Sequence, residues 1–193
     1  MTARLILICH ASTAAVRSSS FPADEPLDQH GEASAAALAG RLPSADRWLT
    51  SPELRARDTA KALGFDAVVE QALRDCDYGS WSGCSFEDVC AREPNAVAVW
   101  LNDPAATPHG GESILRLMQR VADWLQGEQA HHRRSIVVTH PAVIRAVILC
   151  AIGAPAECFW RIDIAPLSAT GLSGAAGRRW NLSSAGCVGQ DRL

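Results

Sequence analysis

Strand-like segments alternate with helix-like segments along this chain, and that alternation constrains its fold more than any other feature. Residues 4–9 and 135–139 are short apolar runs typical of buried strands, and residues 46–50 resemble a further short strand. Each is followed by a segment with helical composition or periodicity. Alternation of this kind predicts an α/β fold with a mostly parallel central sheet, a three-layer αβα sandwich.

Helices are predicted at four places, and the start of one of them has a specific signal. Ser51 is expected to be the N-cap of the second helix, with Pro52 at its first helical position. The predicted helices cover residues 31–42, 51–63, 112–126 and 141–152, and additional strands are predicted at 158–164, 168–173 and 178–182.

Size, charge and cysteine content exclude several classes of protein. The 193 residues fit a single domain covering 1–193, and the net charge of −3 argues against nucleic-acid binding through a basic face. No apolar run approaches the about 20 residues of a membrane span. The seven cysteines include no C-x-x-C pair, which argues against a disulfide framework or a structural zinc site. Free thiols favour a cytoplasmic location.

Polar residues follow three of the predicted strands. His10 follows the first strand, Ser51 and Arg55 follow the second, and His140 follows the third. Parallel sheets bind ligands beyond the carboxyl ends of their strands, so these side chains are expected to converge on one rim. Arginine, protonated histidine and helix N-termini complement phosphate, and a neutral histidine can attack phosphorus.

A reaction of this kind also needs a proton donor for the leaving oxygen. The segment LRDCDYGSWSG, residues 73–83, contains Asp75 and Asp77. Partial burial near an anion would raise the pKa of a carboxyl group and suit it to this role. The residues alone leave open whether both aspartates only form turn hydrogen bonds.

The order of these motifs resembles that of the histidine phosphatase superfamily, also called phosphoglycerate mutase-like, over nearly the whole chain. The family's R-H-G-x-T, S-x-L-x-R-A-x-x-T-A and L-x-E-x-x-x-G-x-W-x-G motifs are matched by residues 9–13, 51–60 and 73–83. Its L-T-x-x-G-x-x-Q-A motif is echoed by LDQHGEASA, its G-G-E-S motif matches residues 110–113, and its H-x-x-x-I-R motif matches residues 140–145.

The resemblance implies roles for individual residues. His10 would be the nucleophile that becomes phosphohistidine, and His140 would contact the phosphoryl group. Arg55 and Thr13 would bind phosphate, and Asp75 would be the general acid and base. No metal or other cofactor is implied. A structural, helix-capping role is expected for Glu112 and Ser113 of the G-G-E-S motif.

Three departures from the family pattern bear on the phosphate chemistry: Cys9 replaces the arginine before the nucleophile, Pro141 follows the second histidine, and Asp75 replaces a glutamate. A thiol cannot supply the donors of a guanidinium, so another cation is needed if activity is retained. Arg17, soon after the first motif, is expected to fold back and fill that gap. A cysteine nucleophile is disfavoured because C-x5-R would require an arginine at the position of Ala15.

The resulting expectation is a metal-independent phosphatase that acts on a small phosphate monoester. The alternatives are mutase-type phosphoryl transfer, disfavoured by the compact chain, and an impaired module that only binds phosphate esters. The loop 18–27 is expected to contact the substrate. Trp81, Trp100 and His109 are expected either to form walls of the site or to lie in the core. The sequence leaves the substrate and the oligomeric state open.

Overall fold

The computed structural model describes residues 2–129, 133–175 and 179–187 and contains a mixed, mostly parallel sheet. Within these ranges the sheet has six strands in the order β3-β2-β4-β1-β5-β6. The first four strands of the chain pair in parallel, whereas β5 and β6 are antiparallel to their neighbours. The strands are β1 (Thr2–Cys9), β2 (Arg47–Thr50), β3 (Val68–Val69), β4 (Arg134–Thr139), β5 (Ser168–Ala175) and β6 (Asn181–Cys187).

Seven α-helices and three short 3₁₀ helices connect these strands within the same ranges. The α-helices are α1 (Ala14–Arg17), α2 (Gln29–Ala36), α3 (Leu54–Ala62), α4 (Phe86–Arg92), α5 (Pro94–Asn102), α6 (Ile114–Gln129) and α7 (Pro141–Ile152). The 3₁₀ helices are Gln71–Leu73, Gly79–Trp81 and Ala156–Arg161. None of the helices in the described part of the chain combines the length and the apolar character needed to cross a membrane.

The side chains of β1 alternate between two hydrophobic layers, as expected for a central strand buried on both faces. Leu5 and Leu7 pack in a cluster that contains apolar residues of α6 and α7. Ile6 and Ile8 point to the opposite face and pack with residues of α3. The sheet therefore lies between two helical layers, which confirms the predicted α/β sandwich.

Two predicted elements differ from the structure. The helix after β2 begins at Leu54 with Glu53 as its N-cap, so Ser51 and Pro52 precede the helix instead of starting it. The segment predicted as a strand at 158–164 lies largely in the 3₁₀ helix Ala156–Arg161. A short run rich in apolar residues fits either conformation, because periodicity cannot distinguish the two over so few residues.

Trp81 and Trp100 lie in a separate core cluster and do not form walls of the rim. Phe21, Trp81 and Trp100 are buried together with Val89 and Val97. Trp81 and Trp100 meet edge to face with ring centroids 5.5 Å apart, an arrangement that aromatic pairs favour. This cluster anchors the loop 18–27, which continues from Phe21 to the rim of the sheet.

Candidate active site

The carboxyl ends of β1, β2 and β4 meet at one rim because these strands are neighbours and run parallel. The residues that directly follow β1 and β2 continue the hydrogen-bonding pattern of the sheet. The amide of His10 donates to the carbonyl oxygen of Thr139 at 2.8 Å, and the amide of Ser51 donates to that of Val138 at 3.0 Å. His10, Ser51 and His140 therefore come together as the sequence predicts.

The ring of His10 is buried and oriented by one hydrogen bond. Its Nδ1 lies 2.8 Å from the carbonyl oxygen of Ala11. A carbonyl only accepts hydrogen bonds, so Nδ1 carries the proton and Nε2 has a free lone pair. Burial and the nearby charges of His140 and Arg55 lower the pKa of His10 to about 3. The imidazole is therefore neutral at physiological pH, the form that can act as a nucleophile.

Arg55 and Asp75 form a buried ion pair beside the two histidines. Nη2 of Arg55 donates to Oδ2 of Asp75 at 2.6 Å, and Nη1 donates to the carbonyl oxygen of Ala23 at 2.7 Å. Burial by itself would raise the pKa of Asp75, but His140, Arg55 and the amide of Cys76 outweigh it and hold that pKa below its ordinary value. The expectation of a raised pKa is thus not met, because His140 and Arg55 stabilise the carboxylate.

The other candidate acid, Asp77, has a turn role. Its Oδ1 accepts from the amide of Gly79 at 2.8 Å, and its side chain is exposed. Asp77 is not among the residues that line the cavity next to His10. Of the two aspartates, Asp75 is the one that the fold brings to the histidines.

His140 is completely buried and has a polar partner on each side. The ring centroids of His140 and His10 are 5.3 Å apart. Nε2 of His140 lies 2.5 Å from Oγ of Ser51 and 2.9 Å from Oε2 of Glu53. Nδ1 makes no hydrogen bond with the described residues and lies 3.5 Å from Oδ2 of Asp75.

Glu53 belongs to this site although sequence reasoning missed it. Its Oε2 contacts His140 and also accepts from Ser51, and its Oε1 accepts from the amide of Asp75 at 3.1 Å. Burial by itself would raise the pKa of Glu53, but His140 and Ser51 lower it to about 2. A signal was present in the motif, since the third position of S-x-L-x-R is leucine in the family and Glu53 here.

Two residues predicted to bind phosphate are not available to do so in the structure. Arg17 lies away from the cavity, and the hydroxyl of Thr13 is already hydrogen-bonded to other residues. Arg17 does not fold back: its side chain is 71% exposed, and Nη1 lies 3.9 Å from Oδ2 of Asp28. Arg17 is the last residue of α1, which directs its side chain to solvent. Thr13 is buried, but its hydroxyl accepts from the amide of Val16 as N-cap of α1 and donates to Oε1 of Glu25 at 3.1 Å.

Cys9 is a core residue. It is fully buried in the cluster formed by β1, α6 and α7. Burial, aided by the charge of Asp75, raises the pKa of its thiol far above the ordinary value. A protonated, enclosed thiol is a poor nucleophile, which agrees with the argument from the C-x5-R spacing.

A cavity of about 240 Å³ lies against His10 and Asp75. The segment 18–27 contributes to it, as the sequence predicts, and so does the start of α7. Its polar lining includes Glu25, Tyr78 and Arg145. Its apolar lining includes Pro141, Ala142 and Ile164. Within the described ranges, no group of three or more histidine, cysteine, aspartate or glutamate side chains is arranged to hold a metal ion.

Comparisons with known proteins agree with this arrangement. The chain is 32% identical over 183 residues to a bifunctional protein of Mycobacterium tuberculosis, which covers 86% of this chain but only 49% of that protein. It is 29% identical over 173 residues to glucosyl-3-phosphoglycerate phosphatase of Mycolicibacterium vanbaalenii, covering 80% of this chain and 76% of the relative.

The fold is also shared with solved structures. A mycobacterial glucosyl-3-phosphoglycerate phosphatase in complex with VO3 superimposes with a TM-score of 0.83 at 27% identity, over 95% of this chain and 98% of the other. The family model for the histidine phosphatase superfamily (branch 1) matches residues 5–186. The chain therefore belongs to the histidine phosphatase superfamily.

Proposed function

We propose that this chain is a metal-independent phosphatase that hydrolyses a small phosphate monoester through a phosphohistidine intermediate on His10. The observation that carries the proposal is the hydrogen bond from Nδ1 of His10 to Ala11, which leaves a neutral Nε2 beside the cavity. Arg55, Asp75 and His140 surround it. Relatives of this chain are phosphatases, and the one solved with VO3 holds an oxyanion.

The reaction has two steps. In the first, Nε2 of His10 attacks phosphorus, a P–N bond forms, and the P–O bond to the alcohol breaks while the alcohol oxygen takes a proton from Asp75. In the second, water attacks phosphorus and gives a proton to Asp75, and the P–N bond breaks. The products are the alcohol and inorganic phosphate, and His10 is again neutral.

Asp75 must take up a proton from solvent before the first step, because its surroundings hold its pKa below the ordinary value. A phosphate dianion that binds Arg55 competes with Asp75 for the guanidinium. That competition removes part of the positive charge that lowers the pKa of Asp75. Substrate binding would thus convert Asp75 from the partner of Arg55 into a proton donor. His140, through Nδ1, would donate to the phosphoryl oxygens.

Hydrolysis of an aryl phosphate in EDTA tests this proposal, with wild type compared with His10→Ala and with the control His30→Ala. His30 is exposed on α2 and lies outside the site. We expect His10→Ala to lower kcat by at least about 10³-fold and to abolish acid-labile labelling of the protein by radioactive substrate. The control His30→Ala should retain both the turnover and the labelling. Turnover that survives His10→Ala would refute the mechanism.

A second candidate is a module that binds phosphate esters without turning them over. The observation that favours it is the missing cation: Cys9 is buried in the core and Arg17 is exposed, so neither supplies the charge of the family's first-motif arginine. Wild-type protein that binds phosphate esters but neither hydrolyses them nor becomes labelled would support this reading.

A further inference from the structure

Arg145 is held at the cavity by contacts that fix its position and, among the described residues, leave its charge without a carboxylate partner. It lies on α7, five residues after His140, and lines the cavity with His10. Its Nε donates to the carbonyl oxygen of Ile162 at 2.7 Å. Its guanidinium lies over the rings of Phe159 and Trp160, 5.7 and 5.5 Å from their centroids.

The terminal nitrogens of Arg145 are not matched by a carboxylate. Within the described residues they make no hydrogen bond, and no acidic oxygen lies within ion-pair distance. Other sheltered arginines are paired: Arg55 with Asp75, Arg120 with Glu112, and Arg47 with Glu128. A half-buried guanidinium is always charged and is stabilised by an anion. The cavity therefore favours a negatively charged group of the ligand next to Arg145.

Glu25 presents the opposite charge to the same cavity. Its Oε1 accepts from Thr13, whereas its Oε2 is buried and has no hydrogen-bond partner in the described part of the chain. Glu25 and Arg145 both line the cavity but do not form an ion pair with each other. A buried carboxylate oxygen without a partner is costly, so a donor supplied by the ligand would satisfy it.

The size of the cavity limits what can carry these groups. Its volume of about 240 Å³ is below the roughly 300–1,000 Å³ typical of sites for drug-sized ligands. Next to His10 and Asp75 there is room for a phosphoryl group and a few further heavy atoms.

We propose that the cavity selects a small phosphate monoester that carries both a carboxylate and an ammonium group, a phosphorylated amino acid. Arg145 binds the carboxylate and Glu25 binds the ammonium. This inference rests on the proposed function for the placement of the phosphoryl group at His10, and it adds two specificity residues to that site.

Three ligands of matched size test the proposal: O-phosphoserine has both groups, phosphoethanolamine has only the ammonium, and phosphoglycolate has only the carboxylate. Their dissociation constants are measured by calorimetry in the His10→Ala chain, in which the esters stay intact, or in His10→Gln if the alanine variant does not fold. We expect phosphoserine to bind at least about tenfold more tightly than either of the others, as one charged hydrogen bond allows.

Variants made in the same His10→Ala background test which residue binds the carboxylate and which binds the ammonium group. Arg145→Met should remove the preference for phosphoserine over phosphoethanolamine, because it should weaken phosphoserine binding more than phosphoethanolamine binding. Glu25→Gln, which keeps the acceptor for Thr13, should remove only the preference over phosphoglycolate. Arg116→Met is the control for loss of charge, because Arg116 is exposed on α6.

Equal affinity for the three ligands, or binding of none of them, would overturn the inference. An equal loss for all three in Arg145→Met would also overturn it, since that result would assign the guanidinium to the phosphoryl group. Selective binding by a chain whose wild type shows no His10-dependent turnover would refute the proposed function and leave the inference standing.

Discussion

At the scale of single residues, Glu53 sets the environment of the second histidine. One of its oxygens contacts Nε2 of His140 at 2.9 Å, and the other accepts from the amide of Asp75. The carboxylate therefore joins two groups of the proposed mechanism, although Glu53 does not line the cavity itself. We assign it a positioning role, because it fixes which nitrogen of His140 faces Asp75.

Replacing Glu53 should lower turnover according to how much of this contact is lost. We expect Glu53→Leu to lower kcat by about 10–100-fold, because the ring of His140 loses its carboxylate partner and keeps only Ser51, and the amide of Asp75 loses its acceptor. Glu53→Gln, which keeps an acceptor oxygen, should lower kcat less. Steady-state kinetics on an aryl phosphate measure both, with Glu87→Gln on the exposed surface of α4 as control. A Leu variant with wild-type kcat would show that His140 does not need this partner.

The residues of the site differ in how far the sequence alone predicts them. His10, Arg55 and His140 are predictable because each follows a strand in a parallel sheet, and the topology of such sheets determines where those ends meet. The position of Arg17 is not predictable in this way, since it depends on how the short helix after Thr13 is oriented. Arg145 was visible in the H-x-x-x-I-R motif, but only its packing on Phe159 and Trp160 reveals that it faces the cavity.

At the scale of elements, α6 holds the loop that carries Asp75. Arg120 on this helix donates to the carbonyl oxygens of Ala72 and Arg74 at 2.7 and 3.0 Å. It also pairs with Glu112, whose side chain is 8% exposed, at 2.7 Å. Glu112 is therefore part of a structural network, in line with the structural role expected for the G-G-E-S motif. The network determines the path of the backbone that leads into Asp75.

Loss of Arg120 should affect stability and turnover together. Arg120→Met removes the donor to three carbonyl groups, those of Ala72, Arg74 and Asp75. Among the described residues it leaves Glu112 with only the half-exposed Arg74 as ionic partner. We expect the free energy of unfolding to fall by about 3–5 kcal/mol, the range for breaking a buried ion pair, and kcat to fall because Asp75 is less well positioned. Urea unfolding and steady-state kinetics measure these effects.

The comparison for Arg120 is Arg116→Met on the same helix, where the side chain is exposed. That variant should change the free energy of unfolding by no more than about 0.5 kcal/mol. Equal destabilisation by both substitutions would mean that helix α6, and not the contact of Arg120 with the Asp75 loop, is responsible.

Element boundaries show where local sequence signals fail. Pro141 begins α7 as predicted, and Gly153 ends it in the left-handed conformation at a φ of 68°, so both ends agree with local rules. At β2, Ser51 and Pro52 carry an equally good start signal, yet the helix begins only at Leu54. The hydroxyl of Ser51 contacts His140 and Glu53 instead of capping the helix. Tertiary contacts at the active site replace the local cap there.

At the scale of the whole molecule, burial of charge at the rim links stability to pH. The sheet brings two histidines, Arg55 and two carboxylates into a space that solvent barely reaches. The two carboxylates, Asp75 and Glu53, both have pKa values below their ordinary ones in the folded chain. The ionised forms of both carboxyl groups are therefore more stable in the folded state than in the unfolded state.

The sign of the resulting pH dependence follows from linkage. Glu53 has an ordinary pKa of 4.5 and a folded pKa of about 2, so between these values the unfolded chain binds a proton that the folded chain does not. The contribution of Glu53 to the free energy of unfolding should then be fully present above pH 4.5 and be lost as the pH approaches 2, by at most about 1.4 kcal/mol per pH unit for this group. His10, whose pKa is lowered from 6.5 to about 3, contributes in the same direction as the pH falls below 6.5. Asp75 contributes in the same direction.

Glu53→Gln removes one of the two groups and should flatten this dependence. Urea unfolding at several pH values between 6 and about 3 gives the slope for the wild type and for the variant, and Glu87→Gln is again the exposed control. The slope, and not the absolute stability, reports the proton affinity of Glu53, because the substitution also changes contacts at every pH. Parallel curves for wild type and Glu53→Gln would mean that Glu53 has the same proton affinity in both states. In that case the hydrogen bonds from His140 and Ser51 would not stabilise the charge at the rim of the sheet.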